Sequence, residues 1–275
     1  PGRASDRHTG AMTAAATGVW IYPDAPIDHL VAAVVEADRA GIDEVWIADE
    51  GVMRDPLVVF AAAARSTERV RMGIGITSPL LRHPGAIATT VASLDELSGG
   101  RMMLGFGVGG QQSLEPFGLT VERPVALMRD ALRTARAVLE RRSDAGYVVT
   151  DHAAPARDVP LYVASRGEQI NRLASREADG VFLSGFAPDR LDEVLGWVRS
   201  DGSPRVALYQ SVRFRTSAAG DPTSVSGGPE VIASVLGALV DAYAPDSIGV
   251  ALVDGGGVLD MLADAVDVFG RLLER

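Results

Sequence analysis

The sequence contains no cysteine and no lysine, so all 26 of its basic residues are arginine. Without cysteine the chain forms no disulfide bond, offers no thiolate nucleophile and has no thiolate zinc site, which fits a cytoplasmic protein. Without lysine, Schiff-base chemistry and catalysis by a lysine general base are excluded. The two absences together exclude thiolate and lysine chemistry from the reactions that the side chains could catalyse.

Positive charge is also scarce, because 36 acidic residues outnumber the basic ones and give a formal net charge of -10. Nucleic-acid binding relies on clustered basic side chains, so a nucleic-acid partner is not expected. No apolar run approaches the roughly 20 residues of a membrane span, so no membrane partner is expected either. His29, His83 and His152 lack metal-ligand spacing, and serine-nucleophile motifs are missing, which argues against a metal centre or a serine nucleophile.

The length of 275 residues is close to the roughly 250 typical of a (β/α)8 barrel. A hydrophobic content of 47% with 23% charged residues is ordinary for a soluble globular protein. The first residues lack the apolar core of a signal peptide, and Met12 is a candidate natural start. We therefore expect a leader or flexible N-terminus over residues 1–16 and one barrel domain over residues 17–275.

Short β-rich runs alternate with helical periodicities along the chain, which favours parallel strands joined by right-handed crossovers. Eight strands are predicted to begin near Val19, Val45, Val70, Met102, Leu161, Val181, Val206 and Ile248. Helical patterns cover Leu30–Ala40, Leu57–Ala64, Ala86–Leu97, Val125–Leu139, Ile170–Ala178, Leu191–Val198, Val231–Ala242 and Leu259–Leu273. With no linker at the midpoint, the pattern predicts an α/β fold, a single-domain (β/α)8 TIM barrel, over an open doubly wound sheet. Residues 142–158 and 216–228, rich in Gly, Ser, Asp and Pro, are expected to be loops.

The segment from His83 to Gly110 is predicted to contain a helix, a glycine-rich helix end, a strand and a glycine-rich turn. The spacing predicts a helix that places Ile87, Val91, Leu94 and Leu97 on one face and ends at Ser98-Gly99-Gly100. A buried strand over Arg101–Phe106 leads into GFGVGG, which satisfies GxGxxG. A dinucleotide fingerprint opens a helix at once, whereas the next helix here is predicted only near Pro124. The glycines are therefore interpreted as a flexible loop at a strand end, against a ligand.

The sequence SLDELSGGRMMLGFGVGG is similar to the signature of the luciferase-like monooxygenase superfamily. Residues 54–88 and 159–183 resemble its deazaflavin branch, typified by methylenetetrahydromethanopterin reductase. The resemblance implies a TIM-barrel oxidoreductase that transfers a hydride between coenzyme F420 and a small organic substrate. Two alternatives stay open: an FMN-dependent monooxygenase on the same barrel, and a cofactor-free barrel acting as a binding or assembly subunit. The last would show an occluded pocket mouth.

The same resemblance assigns roles to residues at the ends of the second and third strands. Gly75-Ile76 stands where the family carries a non-prolyl cis peptide behind the central ring of the cofactor. Asp49 would hydrogen-bond the ring system or its ribityl chain. Glu50 stands where some relatives place a histidine proton donor, which makes it the candidate catalytic residue, with a solvated acidic loop as the alternative.

Further cofactor contacts are implied at the fourth and fifth strands. Val108 and Gly109 would contact the cofactor through their backbone, and Ser78 and Ser113 would make minor contacts. Gly110 replaces the glutamate base of a sugar-phosphate-oxidising relative, so glucose 6-phosphate oxidation is not expected.

Arg166 and Gly167 follow the fifth strand and open a helix, which suits a phosphate, and Gln169 and Ile170 would add backbone amides. The alternative is an ordinary turn with an exposed arginine. Trp20 and Trp46 are expected to fill the core, with Trp20 also a candidate wall of a substrate pocket. Relatives are commonly dimers through the helices near the second and third strands, so a homodimer is expected.

Overall fold

The computed structural model describes residues 15–214, 223–253 and 257–274. The predicted leader lies almost wholly outside the described residues, as does Met12. The strands are β1 (Ala16–Ile21), β2 (Glu44–Ile47), β3 (Arg71–Thr77), β4 (Met102–Phe106), β5 (Leu161–Val163), β6 (Gly180–Ser184), β7 (Arg205–Arg213), β8 (Ser224–Ser226) and β9 (Ser247–Leu252). The helices are α1 (Ile27–Ala40), α2 (Pro56–Ala63), α3 (Pro84–Ser98), α4 (Gln111–Leu114), α5 (Pro124–Leu139), α6 (Glu168–Glu177), α7 (Pro188–Val198), α8 (Pro229–Tyr243) and α9 (Val258–Leu273).

Strands β1 to β7 and β9 close into a parallel barrel, because β6 pairs with β7, β7 with β9, and β9 with β1. The predicted (β/α)8 TIM barrel is confirmed. In the described part of the chain, no helix is long and apolar enough to cross a membrane.

Two short elements differ from the sequence prediction. β8 was expected to be loop, yet it extends the sheet beside the last residues of β7, beyond the point where β6 ends. Three residues are too short to show a strand periodicity. The prediction that the next helix waits until Pro124 was also wrong, since α4 begins at Gln111 and a 3-10 turn follows over Glu115–Phe117.

Helix α3 buries Ile87, Val91 and Leu94 as predicted, but Leu97 is 40% exposed. At about 100° per residue, Ser98 points within about 20° of Ile87 whereas Leu97 points about 80° away. Ser98 is accordingly buried in its place. The predicted apolar stripe was therefore one residue off at its carboxyl end.

The lower barrel interior is filled by a layer of large side chains from β2, β5, β6 and β7. Trp46, Tyr162, Phe182 and Tyr209 pack there, and Trp46 is fully buried. Glycine on other strands makes room for them, since an added Cβ at Gly18 would lie 1.9 Å from the Tyr209 hydroxyl oxygen. This layer closes the barrel beneath the site.

A buried carboxylate supports that layer from below. Glu44 is fully buried, pairs with Arg71, and accepts hydrogen bonds from Trp46 Nε1 at 3.0 Å and the Tyr209 hydroxyl at 3.1 Å. Burial, followed by the charge of Glu44, raises the pKa of Tyr162 to about 12. Burial and then Glu44 raise the pKa of Tyr209 well above its usual value. Both phenols are therefore neutral at ordinary pH.

Candidate active site

An open cavity of about 700 Å³ lies at the carboxyl end of the barrel. At five strands the inward-facing residue one layer above the aromatic floor is small, and the strand period of two places it at the cavity surface, whereas β1 presents Trp20 there. These small residues are Gly75, Ala164, Ser184, Ser211 and Ala251. The cavity thus follows directly from the side-chain sizes along the strands, at the face where barrel enzymes have their active sites.

Gly75-Ile76 forms a cis peptide bond, as the family resemblance implied, and both residues line the cavity. Here the pairing of β3 with β4 shifts register between Ile74 and Thr77, so the backbone bulges. The bulge is bound from both sides. The indole Nε1 of Trp20 donates a hydrogen bond to the Gly75 carbonyl, and the backbone N–H of Asp49 donates to the Ile76 carbonyl at 3.2 Å.

The carboxylate of Asp49 is buried in an ion pair beside this bulge. Arg82 Nε lies 2.6 Å from Asp49 Oδ2, which also accepts a hydrogen bond from the Thr77 hydroxyl at 2.6 Å. Arg82 Nη2 reaches Asp55 Oδ2 at 2.9 Å. Asp55 also caps α2 by accepting from the Leu57 N–H at 2.9 Å. Burial lowers the pKa of Arg82, but the hydrogen bond and charge of Asp49 outweigh it, so the net shift is upward.

Asp49 lines a neighbouring pocket of about 420 Å³, together with Gly51, Leu80, Leu81 and Arg82. The structure thus places Asp49 next to the bulge, with its oxygens bound to protein groups. Sequence reasoning missed Arg82, which lies 33 residues from Asp49 and carries no motif. In the sequence only the charge of Arg82 suggested a functional role, and this did not distinguish it from the many other arginines.

Glu50 lines the cavity, and its carboxylate is hydrogen-bonded to Ser113. The buried Ser113 hydroxyl donates a hydrogen bond to Glu50 Oε2, which joins α4 to the loop after β2. Tyr22 lies close by, since burial and then the charges of Glu50 and Asp24 raise its pKa.

Ser78 is buried and connects two loops at the rim. Its hydroxyl donates to the Val108 carbonyl at 3.0 Å and accepts from the Leu80 N–H at 3.2 Å. Val108, Gly109 and Gly110 line the cavity, and Gly109 takes a left-handed conformation with φ of 94°. The glycine-rich loop after β4 therefore borders the cavity, with Ser78 holding its position.

Arg166 lines the opposite part of the cavity, after β5. Its Nη1 donates to the Gly185 carbonyl at 2.8 Å, and its guanidinium lies 5.2 Å from the centre of the Phe186 ring. Gly167 is the N-cap residue of α6 and offers no side-chain cap. The first turn of α6, which contains Gln169 and Ile170, leaves backbone N–H groups without helical partners. Arg166 thus lines the cavity, and Gly167, Gln169 and Ile170 follow it along the chain at the start of α6.

A closed parallel barrel with an open, glycine-lined cavity at its carboxyl end defines the chain as a TIM-barrel enzyme. Its residues 7–219 match the model of the luciferase-like monooxygenase family. The chain therefore belongs to that family and is an oxidoreductase.

Individual relatives agree with this membership. A 5,10-methylenetetrahydromethanopterin reductase of Methanolobus tindarius is 27% identical over 92% of this chain and 86% of its own length. An F420-dependent glucose-6-phosphate dehydrogenase of Beutenbergia cavernae is 32% identical over 66% of this chain, which spans 60% of that protein. The crystal structure of monooxygenase RslO1 from Streptomyces bottropensis shares the fold, with a TM-score of 0.77 at 18% identity, over 94% of this chain and 98% of that one.

Proposed function

We propose that the protein transfers a hydride between coenzyme F420 and a small organic substrate. The observation that carries this proposal is the single cavity that joins the Gly75-Ile76 bulge, the Val108-Gly109 loop and Arg166. The two sequence relatives named above support it, because one is a reductase and the other is a dehydrogenase named as F420-dependent. The similarity to a monooxygenase structure is below 25% identity and concerns the fold alone.

The residues present fit a flat ring system with a phosphate-bearing tail. Gly75 and Gly109 offer open backbone and Ile76 and Val108 offer apolar side chains to the ring, in a cavity with room for it. At the other end, a Cβ added to Gly167 would meet only the Ser165 hydroxyl, at 3.9 Å, so the backbone there is open to a ligand. We propose that a phosphate binds here.

The phosphate would be held by the guanidinium of Arg166 together with backbone amides from Gly167, Gln169 and Ile170. Arg166 is exposed and bound to a carbonyl, so it has donors left for an anion. Bound F420 would supply a carbon that accepts or gives a hydride, which no side chain of this protein offers.

In this proposal, three further residues that were predicted to contact the cofactor act mainly by holding other protein groups in place. Asp49 and Ser78 fix the backbone of the bulge and of the Val108 loop by the bonds described above. Ser113 binds Glu50, which we propose as the group that gives or takes the proton accompanying hydride transfer. An open cavity is the opposite of the occluded mouth expected for a cofactor-free subunit.

We also propose that the protein is a cytoplasmic homodimer formed through α2 and α3. We define the α2–α3 face as a set of exposed, uncharged side chains on these helices: Val58, Ala61, Ala62, Thr89, Thr90 and Ser93. The exposed Glu96 stands near the carboxyl end of α3, where it pairs with Arg157 at 3.0 Å. The hydroxyls of Thr89, Thr90 and Ser93 donate to backbone carbonyls four residues earlier, at 3.0, 3.1 and 3.0 Å. The face is thus apolar in effect, which suits a dimer interface.

The test of the proposed activity uses titration of F420 fluorescence with the purified protein and with an Ala164→Trp variant. Ala164 lines the cavity, so the larger side chain fills it while leaving Arg166 in place. We expect saturable quenching with the unaltered protein and at least a roughly 10-fold weaker interaction with the variant. Equal binding by the two proteins would show that the ring binds elsewhere.

A further inference from the structure

Two charged side chains are found among the described residues that line the cavity, and they stand far apart. Glu50 follows β2 and Arg166 follows β5, which are three strands apart around the eight-stranded barrel. Arg166 is held on its own side by Gly185 and Phe186. The cavity therefore has a cationic end and an anionic end.

At the anionic end, the Glu50 carboxylate is held in one position by a hydrogen bond. Glu50 Oε2 accepts the hydrogen bond of the buried Ser113 hydroxyl, while no hydrogen bond to Glu50 Oε1 forms within the described ranges. Trp20 and Gln112 complete this end of the cavity with an indole and an amide. One carboxylate oxygen is thus available to a ligand, and no cation accompanies it on the described wall.

We infer that the end of the cavity at Glu50 takes an uncharged alcohol or carbonyl group and rejects substrates whose carboxylate or phosphate lies near the reacting carbon. This inference rests on the proposed function, in which the cationic end at Arg166 is used by the cofactor. A second anion beside Glu50 would meet like-charge repulsion. A hydroxyl group would instead donate to Glu50 Oε1, and a carbonyl would accept from the protonated acid.

In the oxidising direction the substrate carbon would give up a hydride, which is a proton with two electrons, and bound oxidised F420 would supply the acceptor for it. The hydroxyl proton passes to the Glu50 carboxylate and a carbon–oxygen double bond forms. Glu50 then releases this proton to water. Reduction of a carbonyl follows the same steps in reverse, so no further reactant is needed.

In this arrangement Ser113 is a positioning residue, since it touches Glu50 and acts through it. A direct cofactor contact by Ser113 would lower F420 affinity on substitution. A positioning role would lower turnover and leave F420 affinity unchanged. Ser113→Ala and Ser113→Thr distinguish the two, because threonine retains the hydroxyl.

The experiment begins with F420 binding to the unaltered protein, so that a failure of the proposed function is seen before any substrate is tried. The loaded protein is then given two neutral probes, 2-butanol and cyclohexanol, and two anionic probes, lactate and 3-hydroxybutyrate. Calorimetry gives each dissociation constant, and loss of F420 absorbance gives turnover. We expect the neutral probes to bind at least about 10-fold more tightly than the anionic ones.

Variants then assign the selectivity to its residues. Glu50→Gln is expected to reduce the charge selectivity to within about 3-fold, and to cut turnover of neutral probes by about 100-fold, with unchanged F420 affinity. Ser113→Ala should lower turnover about 10-fold with unchanged F420 affinity, and Ser113→Thr should restore it. Glu230→Gln, which removes an exposed charge on α8, is the matched control and should change nothing.

Three results would overturn the inference: anionic probes that bind as tightly as neutral ones, neutral probes that do not bind to the loaded protein, or full turnover by Glu50→Gln. Because the selectivity is measured first on the unaltered protein, the inference is decided even if a variant does not fold.

Discussion

The guanidinium of Arg82 and the carboxylate of Asp49 form an ion pair with Nε 2.6 Å from Oδ2, beside the bulge of β3. The backbone N–H of the same Asp49 donates to the Ile76 carbonyl, at the cis peptide. One residue thus connects a charge pair outside the cavity to the backbone that lines it. The pair gives the protein a means of fixing its proposed cofactor surface.

Replacing Arg82 by methionine should destabilise the protein and weaken F420 binding together. The Asp49 carboxylate would remain buried without its cationic partner, and breaking a buried ion pair in this way costs about 3–5 kcal/mol of unfolding free energy. We expect the F420 dissociation constant to rise about 10-fold, because the bulge loses a fixed neighbour. Urea unfolding and fluorescence titration measure the two effects.

The control for this variant is Arg39→Met, which breaks an ion pair with Glu36 whose side chains are 70% and 52% exposed. Its effect on unfolding should stay below about 0.5 kcal/mol. An Arg82→Met protein as stable as the control would contradict the role given to the ion pair.

Removing the guanidinium of Arg166 should weaken F420 binding and cost the fold only about 1 kcal/mol. The side chain is exposed, but its Nη1 donates to the carbonyl of the buried Gly185, which would lose this donor. A charge-assisted hydrogen bond to phosphate is worth about 1.5–3 kcal/mol, so Arg166→Ala should raise the F420 dissociation constant roughly 10- to 100-fold. Arg166→Lys keeps the charge and should fall between the two proteins. Arg172→Ala, also on this side of the barrel, is the control, and equal losses in both would argue against a phosphate at Arg166.

The raised phenol pKa values predict a loss of stability at high pH. A group whose pKa is higher in the folded chain contributes stability that is complete below its unfolded pKa, near 10, and is lost as the pH rises through the folded pKa. Tyr162, with a pKa of about 12, and Tyr209, raised well above its usual value, should both act in this way. Unfolding free energy should therefore fall steeply above about pH 10.

Tyr209→Phe should flatten this alkaline decline. At neutral pH the variant should be about 1 kcal/mol less stable, because Glu44 loses one hydrogen-bond donor. Tyr147→Phe, in the loop after α5, serves as the control. Denaturant unfolding between pH 7 and 11 gives the comparison, and identical slopes for both variants would speak against a buried neutral phenol.

Charge placed on the α2–α3 face should dissociate the proposed dimer. Ala62→Arg combined with Thr90→Arg buries unpaired cations in the interface, so sedimentation should show a dimer for the unaltered protein and a monomer for the variant. Val231→Arg replaces a side chain on α8 that is 50% exposed and should leave the dimer intact. If the unaltered protein sediments as a monomer, the proposed dimer interface is wrong.

The sequence allowed most of the barrel to be predicted, because its long helices and buried strands have clear periodicities. Residues such as Val45 and Leu161 fall at or near observed strand starts. The short elements α4 and β8 were missed for a physical reason. Four and three residues show no period, and β8 exists only because β7 continues past β6 and offers a free edge.

The candidate site was predictable where a family resemblance covered it and unpredictable where it depends on long-range pairs. The cis bond at Gly75-Ile76 was expected and is present. The bonds from Arg82 to Asp49 and from Ser113 to Glu50 join residues 33 and 63 positions apart, which only the folded chain brings together. The latter bond is the observation behind the positioning role that we propose for Ser113.

Dialysis of the protein against F420 and FMN together tests the central claim most directly. If the cavity is an F420 site, F420 will be retained with the protein at one molecule per chain while FMN stays equally distributed on both sides of the membrane. Retention of FMN without F420 would make the protein a flavin enzyme, and retention of neither would leave the cavity without the proposed cofactor; either result contradicts the account.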